Sequence, residues 1–156
     1  MLKSKIKNKN NFLLLLISSV FAGFTGCQTS PYTITESNIS IKEHRKAVVA
    51  AIGEVKSVSE NGREMYSPYH NKNFKNLDEP TSPKVRYYTK VVVLGARRPY
   101  DVSVEVHKEQ KDPDTNAYID QGIDEGLTRA RVKAIEVMLN QSREKASPAF
   151  DVENPF

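Results

Sequence analysis

The stretch Val85–Leu94, which reads VRYYTKVVVL, decides the fold. Valines, tyrosines and a threonine dominate it, and β-branched and aromatic residues favour strands. Residues 91–94 are apolar at every position, which is typical of a strand covered on both faces. We therefore predict a strand over residues 85–94 at the centre of a sheet.

A second strand is predicted after the short turn GARRP at residues 95–99. Residues 101–107 read DVSVEVH and alternate strictly, with three valines on one side and four polar residues on the other. A period of two places the valines in the core and the polar side chains on a wet face. The residues expected to meet water or a partner are Asp101, Ser103, Glu105 and His107.

Two shorter segments before these strands have the pattern of a hairpin. Residues 55–58 and 63–66 flank the sequence SENG. Within it, Asn61 followed by Gly62 readily supplies the two positive φ angles of a tight turn. The pattern predicts a hairpin or, alternatively, one strand with a bulge.

A helix is predicted over residues 41–52. Ser40 and Glu43 have the spacing of a capping box, and Gly53 fits the position just after a helix. The apolar run at residues 47–52 is also compatible with a buried strand.

A longer helix is predicted from about residue 124 to residue 145. Acidic residues near its start, and Arg143 with Lys145 near its end, complement the helix dipole, and Pro148 stops it. Its apolar stripe is expected to consist of Leu127, Ala130, Ala134, Val137 and Met138, with Val132, Ile135 and Leu139 beside it.

Two segments are expected outside the regular structure. Residues 67–83 contain three prolines and few apolar groups, which predicts a long mobile loop. Residues 28–38 are rich in serine and threonine and are predicted to be a flexible tether. Within them, residues 32–35 also have the short alternation of a strand that pairs with a sheet edge.

The order of these elements predicts an α+β domain over residues 40–146. We expect a small antiparallel sheet of three or four strands with two amphipathic helices on one face. Residues 147–156 are expected to form a C-terminal tail.

The histidines and the cysteine do not form a metal-binding pattern. His44, His70 and His107 fall in three different predicted elements, without the spacing of metal ligands. The sequence shows no nucleophile elbow and no recognisable pair of catalytic carboxylates. We therefore predict no enzymatic activity and no cofactor.

Residues 112–123 begin like a calcium-binding loop and then depart from the pattern. Oxygen-bearing residues stand at its first, third and fifth positions. However, Ala117 and Ile123 stand where such a loop needs a glycine and a closing acid. A bent polar loop with Asx turns is predicted instead of a metal site.

The turn between the two strongest strands is the predicted partner contact. It carries Arg97 and Arg98 next to Tyr100, and two guanidinium groups beside an aromatic ring can bind a carboxylate or a phosphate. The alternative interpretation is a solvated turn in which Pro99 fixes the bend.

Several tyrosines fall near strand ends. They are compatible with an aromatic surface, but packing of the sheet against the helices is the favoured interpretation. These residues are Tyr66, Tyr69, Tyr87, Tyr88 and Tyr100.

The N-terminus combines four lysines, an apolar run over residues 12–24 and the sequence Phe24-Thr25-Gly26-Cys27. The run is shorter than the ~20 residues of a bilayer-spanning helix and ends at small residues suited to a peptidase. Over about 27 residues the chain resembles a bacterial lipoprotein signal with its lipobox. Phe24 stands where that family usually has an aliphatic residue. The resemblance implies that residues 1–26 are removed and that Cys27 is acylated and anchors the chain to a membrane.

Removal of the signal changes the charge balance. Residues 1–26 contain four lysines and no acid, so the remaining chain has 19 basic and 19 acidic side chains. A neutral protein gives no support to nucleic-acid binding or to electrostatic attachment to anionic lipid. Cys27 is the only cysteine, which excludes a disulfide within the chain. Gln28 follows it, and the resemblance then implies the outer membrane, facing the periplasm, in a Gram-negative cell, or otherwise the outer face of the plasma membrane.

The sequence thus predicts a non-enzymatic envelope lipoprotein, an accessory or assembly component that binds protein partners in the periplasm. One alternative is a binder of a lipid or small amphiphile, which needs an apolar cavity between the sheet and the helices. A cell-envelope enzyme is the other alternative and has no motif in its favour.

Overall fold

The computed structural model describes residues 32–146. The predicted signal peptide, Cys27 and the predicted C-terminal tail lie outside these residues. Along the chain the elements are β1 (Tyr32–Ser37), α1 (Ile41–Ile52), β2 (Ser57–Val58), β3 (Glu64–Tyr66), β4 (Val85–Leu94), β5 (Tyr100–Lys111), β6 (Tyr118–Ile123) and α2 (Glu125–Ala146). The predicted α+β class is confirmed.

The sheet is antiparallel and has six strands instead of the predicted three or four. All ten residues of β4 pair with β5, as expected for the centre of the sheet, and β3 and β2 extend it beyond β4. β5 is 12 residues long, so its other edge holds two partners, β1 near its start and β6 near its end. β6 was missed because its polar sequence pairs through this edge rather than through an apolar pattern of its own.

The predicted tether over residues 28–38 is wrong where it covers β1. Tyr32 pairs with Val104 and Ile34 with Val102. Ile34 is only 9% exposed, because the edge of β5 accepts this short strand and covers it. The alternative of a strand at a sheet edge is therefore correct, and regular structure begins before residue 40.

The core lies between the sheet and the two helices. β4 and β5 contribute valines that are fully or almost fully buried, and both helices add side chains to the same cluster. Its members with no exposed surface are Val48, Met65, Val91, Val102, Val104, Ile135 and Leu139. Burial of these seven side chains is the main stabilising contribution of the cluster, at roughly 1.5–3 kcal/mol for each large one.

Helix α1 has the predicted bounds and the predicted caps. The Ser40 hydroxyl accepts a hydrogen bond from the Glu43 amide at 3.3 Å, and the Glu43 carboxylate accepts one from the Ser40 amide at 3.0 Å. Gly53, with φ of 82°, ends the helix. The alternative of a buried strand at residues 47–52 is excluded.

Helix α2 is present, but the predicted apolar stripe is rotated. Ala130 is exposed, and Val137 is 45% exposed. The buried positions are Thr128, Arg131, Ile135 and Leu139. The apolar pattern missed this face because two of its four members, Thr128 and Arg131, are polar; each makes a hydrogen bond to the backbone of another element, to Val106 and Ala51 respectively.

The β2–β3 hairpin is present, with a different turn from the predicted one. Gly62 has φ of 71°, whereas Asn61 is not in the left-handed region. The Asn61 side-chain oxygen instead accepts hydrogen bonds from the Ser59 hydroxyl at 2.8 Å and the Arg63 amide at 3.0 Å. A longer connection stabilised by the asparagine side chain therefore replaces the two-residue turn.

Residues 67–83 form a loop, as predicted, but the loop is bound to the sheet rather than free. His70 exchanges two backbone hydrogen bonds with Tyr87 of β4, at 2.8 and 3.0 Å. Ser67 is 3% exposed and His70 is 1% exposed. Polar residues made the segment look solvated, and their burial was hidden because they are satisfied by the backbone of β4.

Between β5 and β6, the predicted Asx turn is present. The Asp112 carboxylate accepts hydrogen bonds from the amides of Asp114 at 2.8 Å and Thr115 at 3.2 Å. These bonds lower the pKa of Asp112. Across residues 32–146, no helix combines the length and the apolar character needed to cross a membrane.

Candidate functional site

The face of the sheet opposite the core valines carries a group of polar and aromatic side chains. The register of β4 and β5 places Tyr88 opposite His107 and Arg86 opposite Glu109 on this face. We call it the outer face. Tyr66 of β3 reaches the same face, because it pairs with Lys90 while its neighbour Met65 is buried in the core.

The predicted wet face of β5 is a connected network around His107, but Ser103, which was expected to meet water, is only 5% exposed. The rings of Tyr88 and His107 are stacked, with centroids 4.9 Å apart and planes at 4°. The two ring nitrogens of His107 lie 3.1 Å from the carboxylates of Glu105 and Asp120. His107 is therefore held in one orientation by two strands, and its side chain is 18% exposed.

Tyr88 stays a phenol over the whole physiological pH range. Burial, followed by the negative charges of Asp120 and Glu109, raises the pKa of Tyr88 to about 12. A protonated hydroxyl on this face can donate a hydrogen bond to a ligand.

Arg86 fixes the end of the outer face. Its guanidinium lies 3.7 Å from the ring centroid of Tyr69 and 3.5 Å from that of Tyr118. Its Nε donates a hydrogen bond to Glu109 at 2.6 Å, and Nη1 donates one to the carbonyl of Pro80 at 2.9 Å. Because its charge is paired with Glu109 and its guanidinium contacts two tyrosine rings, Arg86 positions Tyr69 and is not free to bind a ligand.

These contacts leave a cleft of about 230 Å³, which we call the tyrosine cleft. Tyr69 contacts Tyr88 edge to face at a centroid distance of 6.0 Å, and Tyr66 lies 6.4 Å from Tyr88. The walls of the cleft include Lys56, Tyr66, Tyr69, Tyr88 and Glu109. Three aromatic rings with one ammonium and one carboxylate can hold a flat or apolar group and hydrogen-bond to its polar edge.

The predicted contact at Arg97, Arg98 and Tyr100 is divided in space. Arg97 and Arg98 are exposed in the β4–β5 turn. Tyr100 packs against the core, with its ring edge to face with that of His44 at 5.8 Å and the Arg63 guanidinium 5.3 Å above it. The two arginines are thus available to a partner, and the tyrosine ring is engaged inside the domain.

His44 and His70 have structural surroundings. Both are buried, and burial lowers the pKa of each. Nδ1 of each ring lies 2.9 Å from a backbone carbonyl, of Ser40 and Asn71 respectively, so this nitrogen carries the proton. In His70, Nε2 then accepts a hydrogen bond from Thr89 at 3.2 Å. In the described part of the chain, no three His, Cys, Asp or Glu side chains are grouped as metal ligands.

Sequence reasoning named the tyrosines but missed their companions Lys56, Arg86, Glu109 and Tyr118. Alternation along β4 does place Arg86 and Tyr88 on one face, which was an available signal. Tyr118 had none, because β6 itself was not predicted.

Comparison with known proteins does not assign the chain to a family. No protein-family model matches the chain, and no curated protein matches it. The functional argument therefore depends on the residues themselves.

Proposed function

We propose that the chain is a membrane-anchored, non-enzymatic envelope lipoprotein whose domain binds a protein partner in the periplasm. The observation that carries the binding part is the tyrosine cleft. The anchoring part depends on the resemblance of residues 24–27 to a lipobox.

The tyrosine cleft has the composition of an interface centre. Tyrosine and arginine are enriched at the energetically dominant positions of protein interfaces, where they offer large contact areas. Tyr66 and Tyr88 lie on paired strands, and Tyr69 is contacted by Arg86 of β4 and by Lys56, which directly precedes β2. A preorganised cleft loses little conformational entropy when a partner side chain enters it.

Arg97 and Arg98 form the second proposed contact. Both are exposed at the end of the β4–β5 hairpin, away from the stacked rings of the cleft. Exposed guanidinium groups favour carboxylates on a partner and accelerate its association.

The alternative of a lipid or amphiphile binder lacks its site in the described residues. The space between the sheet and the helices is occupied by Val48, Val104, Ile135 and Leu139, none of which has exposed surface. The protein-binding proposal is preferred because its site lies on the surface.

Site-specific photo-crosslinking in living cells tests the proposed interface. A photoreactive phenylalanine analogue replaces Tyr66, and a matched control carries it at Val137, which is 45% exposed on α2. We expect a discrete adduct from position 66 and none from position 137. Substitution Tyr88→Ala should abolish the adduct. Equal adducts from both positions, or no adduct from position 66, would refute the tyrosine cleft as the interface.

Metabolic labelling tests the anchor separately. Radiolabelled palmitate should mark the wild-type protein and should be absent from Cys27→Ala. Label that persists in this variant would refute the lipobox, whatever the crosslinking shows.

A further inference from the structure

The exposed side of α1 concentrates positive charge around a small apolar patch. Lys42, Arg45 and Lys46 are exposed on adjacent turns, and none of them has an ion-pair partner within 4 Å among residues 32–146. Val49, 44% exposed, and Ala50 follow on the same side. These five residues border a shallow depression of about 500 Å³, and we call this surface the basic face of α1.

The nearest acid of α1 is already engaged. The Glu43 carboxylate accepts hydrogen bonds from both the amide and the hydroxyl of Ser40. These two bonds lower the pKa of Glu43. Arg98 of the β4–β5 turn lies close enough to contribute to the same shift. Lys145, at the end of α2, borders a second groove of about 350 Å³ together with Lys46. Cations from three parts of the fold thus adjoin one helix of a protein that is neutral beyond residue 26.

We propose that the basic face of α1 docks on a membrane surface that contains anionic phospholipid. Three cations on one exposed side of a helix, followed by an exposed valine and alanine, form a basic surface suited to anionic headgroups. A specific acidic peptide would instead be expected to need a deeper groove with fixed hydrogen-bond partners. Clustered lysine and arginine near a membrane are attracted to anionic headgroups within a Debye length.

The short chain between Cys27 and β1 supports a membrane as the binding partner. This argument rests on the proposed lipid anchor. Tyr32, the first residue of β1, follows Cys27 by five residues. Five extended residues span at most roughly 18 Å, so a lipid at Cys27 holds the domain close to the headgroups. The anchor supplies proximity, and the basic face of α1 selects which side of the domain meets the bilayer.

The test uses the chain from residue 27 onward with Cys27→Ser, which keeps every described element and removes the lipid. Sedimentation with vesicles of phosphatidylcholine containing 30% phosphatidylglycerol is compared with pure phosphatidylcholine vesicles. We expect at least fivefold more bound protein on the anionic vesicles at low salt, and loss of most of this binding at high salt. Equal binding to both vesicle types would overturn the proposal.

Charge reversal locates the surface. The triple variant Lys42→Glu, Arg45→Glu and Lys46→Glu should lose the binding. The control has the same change in net charge at exposed positions elsewhere, with the substitutions Lys72→Glu, Lys75→Glu and Lys84→Glu. It should bind anionic vesicles more tightly than the triple variant of α1. Because the stem of Arg45 approaches Gly62, the double variant Lys42→Glu and Lys46→Glu is also measured, with circular dichroism to confirm folding. Similar binding by the reversal variants and the control would overturn the assignment.

Two further arms separate this inference from the other proposals. Tyr88→Ala should bind vesicles as the unsubstituted chain does, since the tyrosine cleft is not involved. Polyglutamate is the second probe. If the chain without these substitutions binds polyglutamate but not anionic vesicles, and the triple variant does not bind polyglutamate, the basic face of α1 recognises an acidic protein. The membrane assignment would then be wrong.

Discussion

Arg131 shows how one buried cation can be held without a carboxylate. It is 6% exposed, and burial lowers its pKa to about 10. Its guanidinium lies 3.9 Å from the ring centroid of Phe74, and Nη1 donates a hydrogen bond to the carbonyl of Ala51 at 3.2 Å. Ala51 is in the last turn of α1, which has no basic residue of its own. Arg131 therefore complements the negative end of the α1 dipole from the neighbouring helix.

Substitution of Arg131 separates its volume from its charge. We expect Arg131→Ala to lower the free energy of unfolding by about 2–4 kcal/mol, because it leaves a cavity and an unpaired Ala51 carbonyl. Arg131→Met should lose less, since it refills the space without a desolvated charge. Urea denaturation measures both.

The matched control is Arg129→Ala on the same helix. Its side chain is 63% exposed, pairs with Glu125 at 3.4 Å and lies 5.9 Å from the ring centroid of Tyr32, so the change should stay within roughly 0.5 kcal/mol. A larger loss for Arg129→Ala than for Arg131→Ala would contradict this account.

Single residues of the sequence predicted only part of the candidate site. Tyr87 and Tyr88 are adjacent and chemically identical, yet Tyr87 is 5% exposed on the core side and Tyr88 lines the tyrosine cleft. The parity of the strand assigns the two faces, but which face the helices cover is decided by tertiary packing. The charged residues that line the cleft, Glu109 and Lys56, come from β5 and from the residues before β2, and no local pattern places them there.

The start of α2 closes a gap in the sheet. β1 and β6 share one edge of β5 and leave Val106 between them without a strand partner on that side. The Thr128 hydroxyl accepts a hydrogen bond from the Val106 amide at 2.9 Å, and the Val106 carbonyl accepts one from Asp124 at 2.8 Å. The Asp124 carboxylate in turn caps α2 through the Leu127 amide at 3.0 Å. A helix end thus replaces a strand in satisfying buried backbone groups.

Thr128→Val tests this junction with little change in shape. The Val106 amide would remain buried without an acceptor, so we expect a loss of about 1–3 kcal/mol in the free energy of unfolding. Hydrogen exchange at Val106 should accelerate. Thr35→Val, at an exposed position of β1, is the control and should be nearly neutral. An unchanged exchange rate at Val106 would mean that the hydroxyl does not protect it.

Sequence patterns worked for elements that carry their own signals. α1 has its capping box and β4 its β-branched run, and both were predicted with the observed bounds. α2 was placed within a residue or two, but its buried face was not, since Thr128 and Arg131 are buried for their hydrogen bonds and not for apolar character. β1 and β6 both pair with β5, and β5 is longer than the alternating pattern at residues 101–107 from which it was predicted.

The stability of the whole domain should depend on pH through its two buried histidines. Burial lowers the pKa of His44 and of His70, whereas an unfolded chain has a histidine pKa near 6.5. Below about pH 6.5 the unfolded state binds protons that the folded state does not. The contribution of the neutral histidines is therefore complete above this pH and declines as the pH falls.

We expect the urea midpoint to decrease between pH 7.5 and pH 5.5, because protonation of the two histidines favours the unfolded state. This window lies above the range in which Glu43 and Asp112 titrate, because their pKa values are lowered from 4.5 and 3.8. His70→Gln should be less stable at pH 7.5 but should show a smaller decrease. A midpoint that rises towards pH 5.5 would contradict the burial of neutral rings.

The position of β1 has a consequence for how the chain folds as it emerges N-terminus first. β1 leaves the ribosome before any other described element, yet its pairing partners at residues 100–104 follow almost 70 residues later. The β4–β5 hairpin, whose strands are neighbours in the chain, needs no such wait. Closing the longer loop is entropically the slower event, so the first strand to appear is among the last to pair. A chain that has not yet reached residues 100–104 lacks the strand with which β1 pairs.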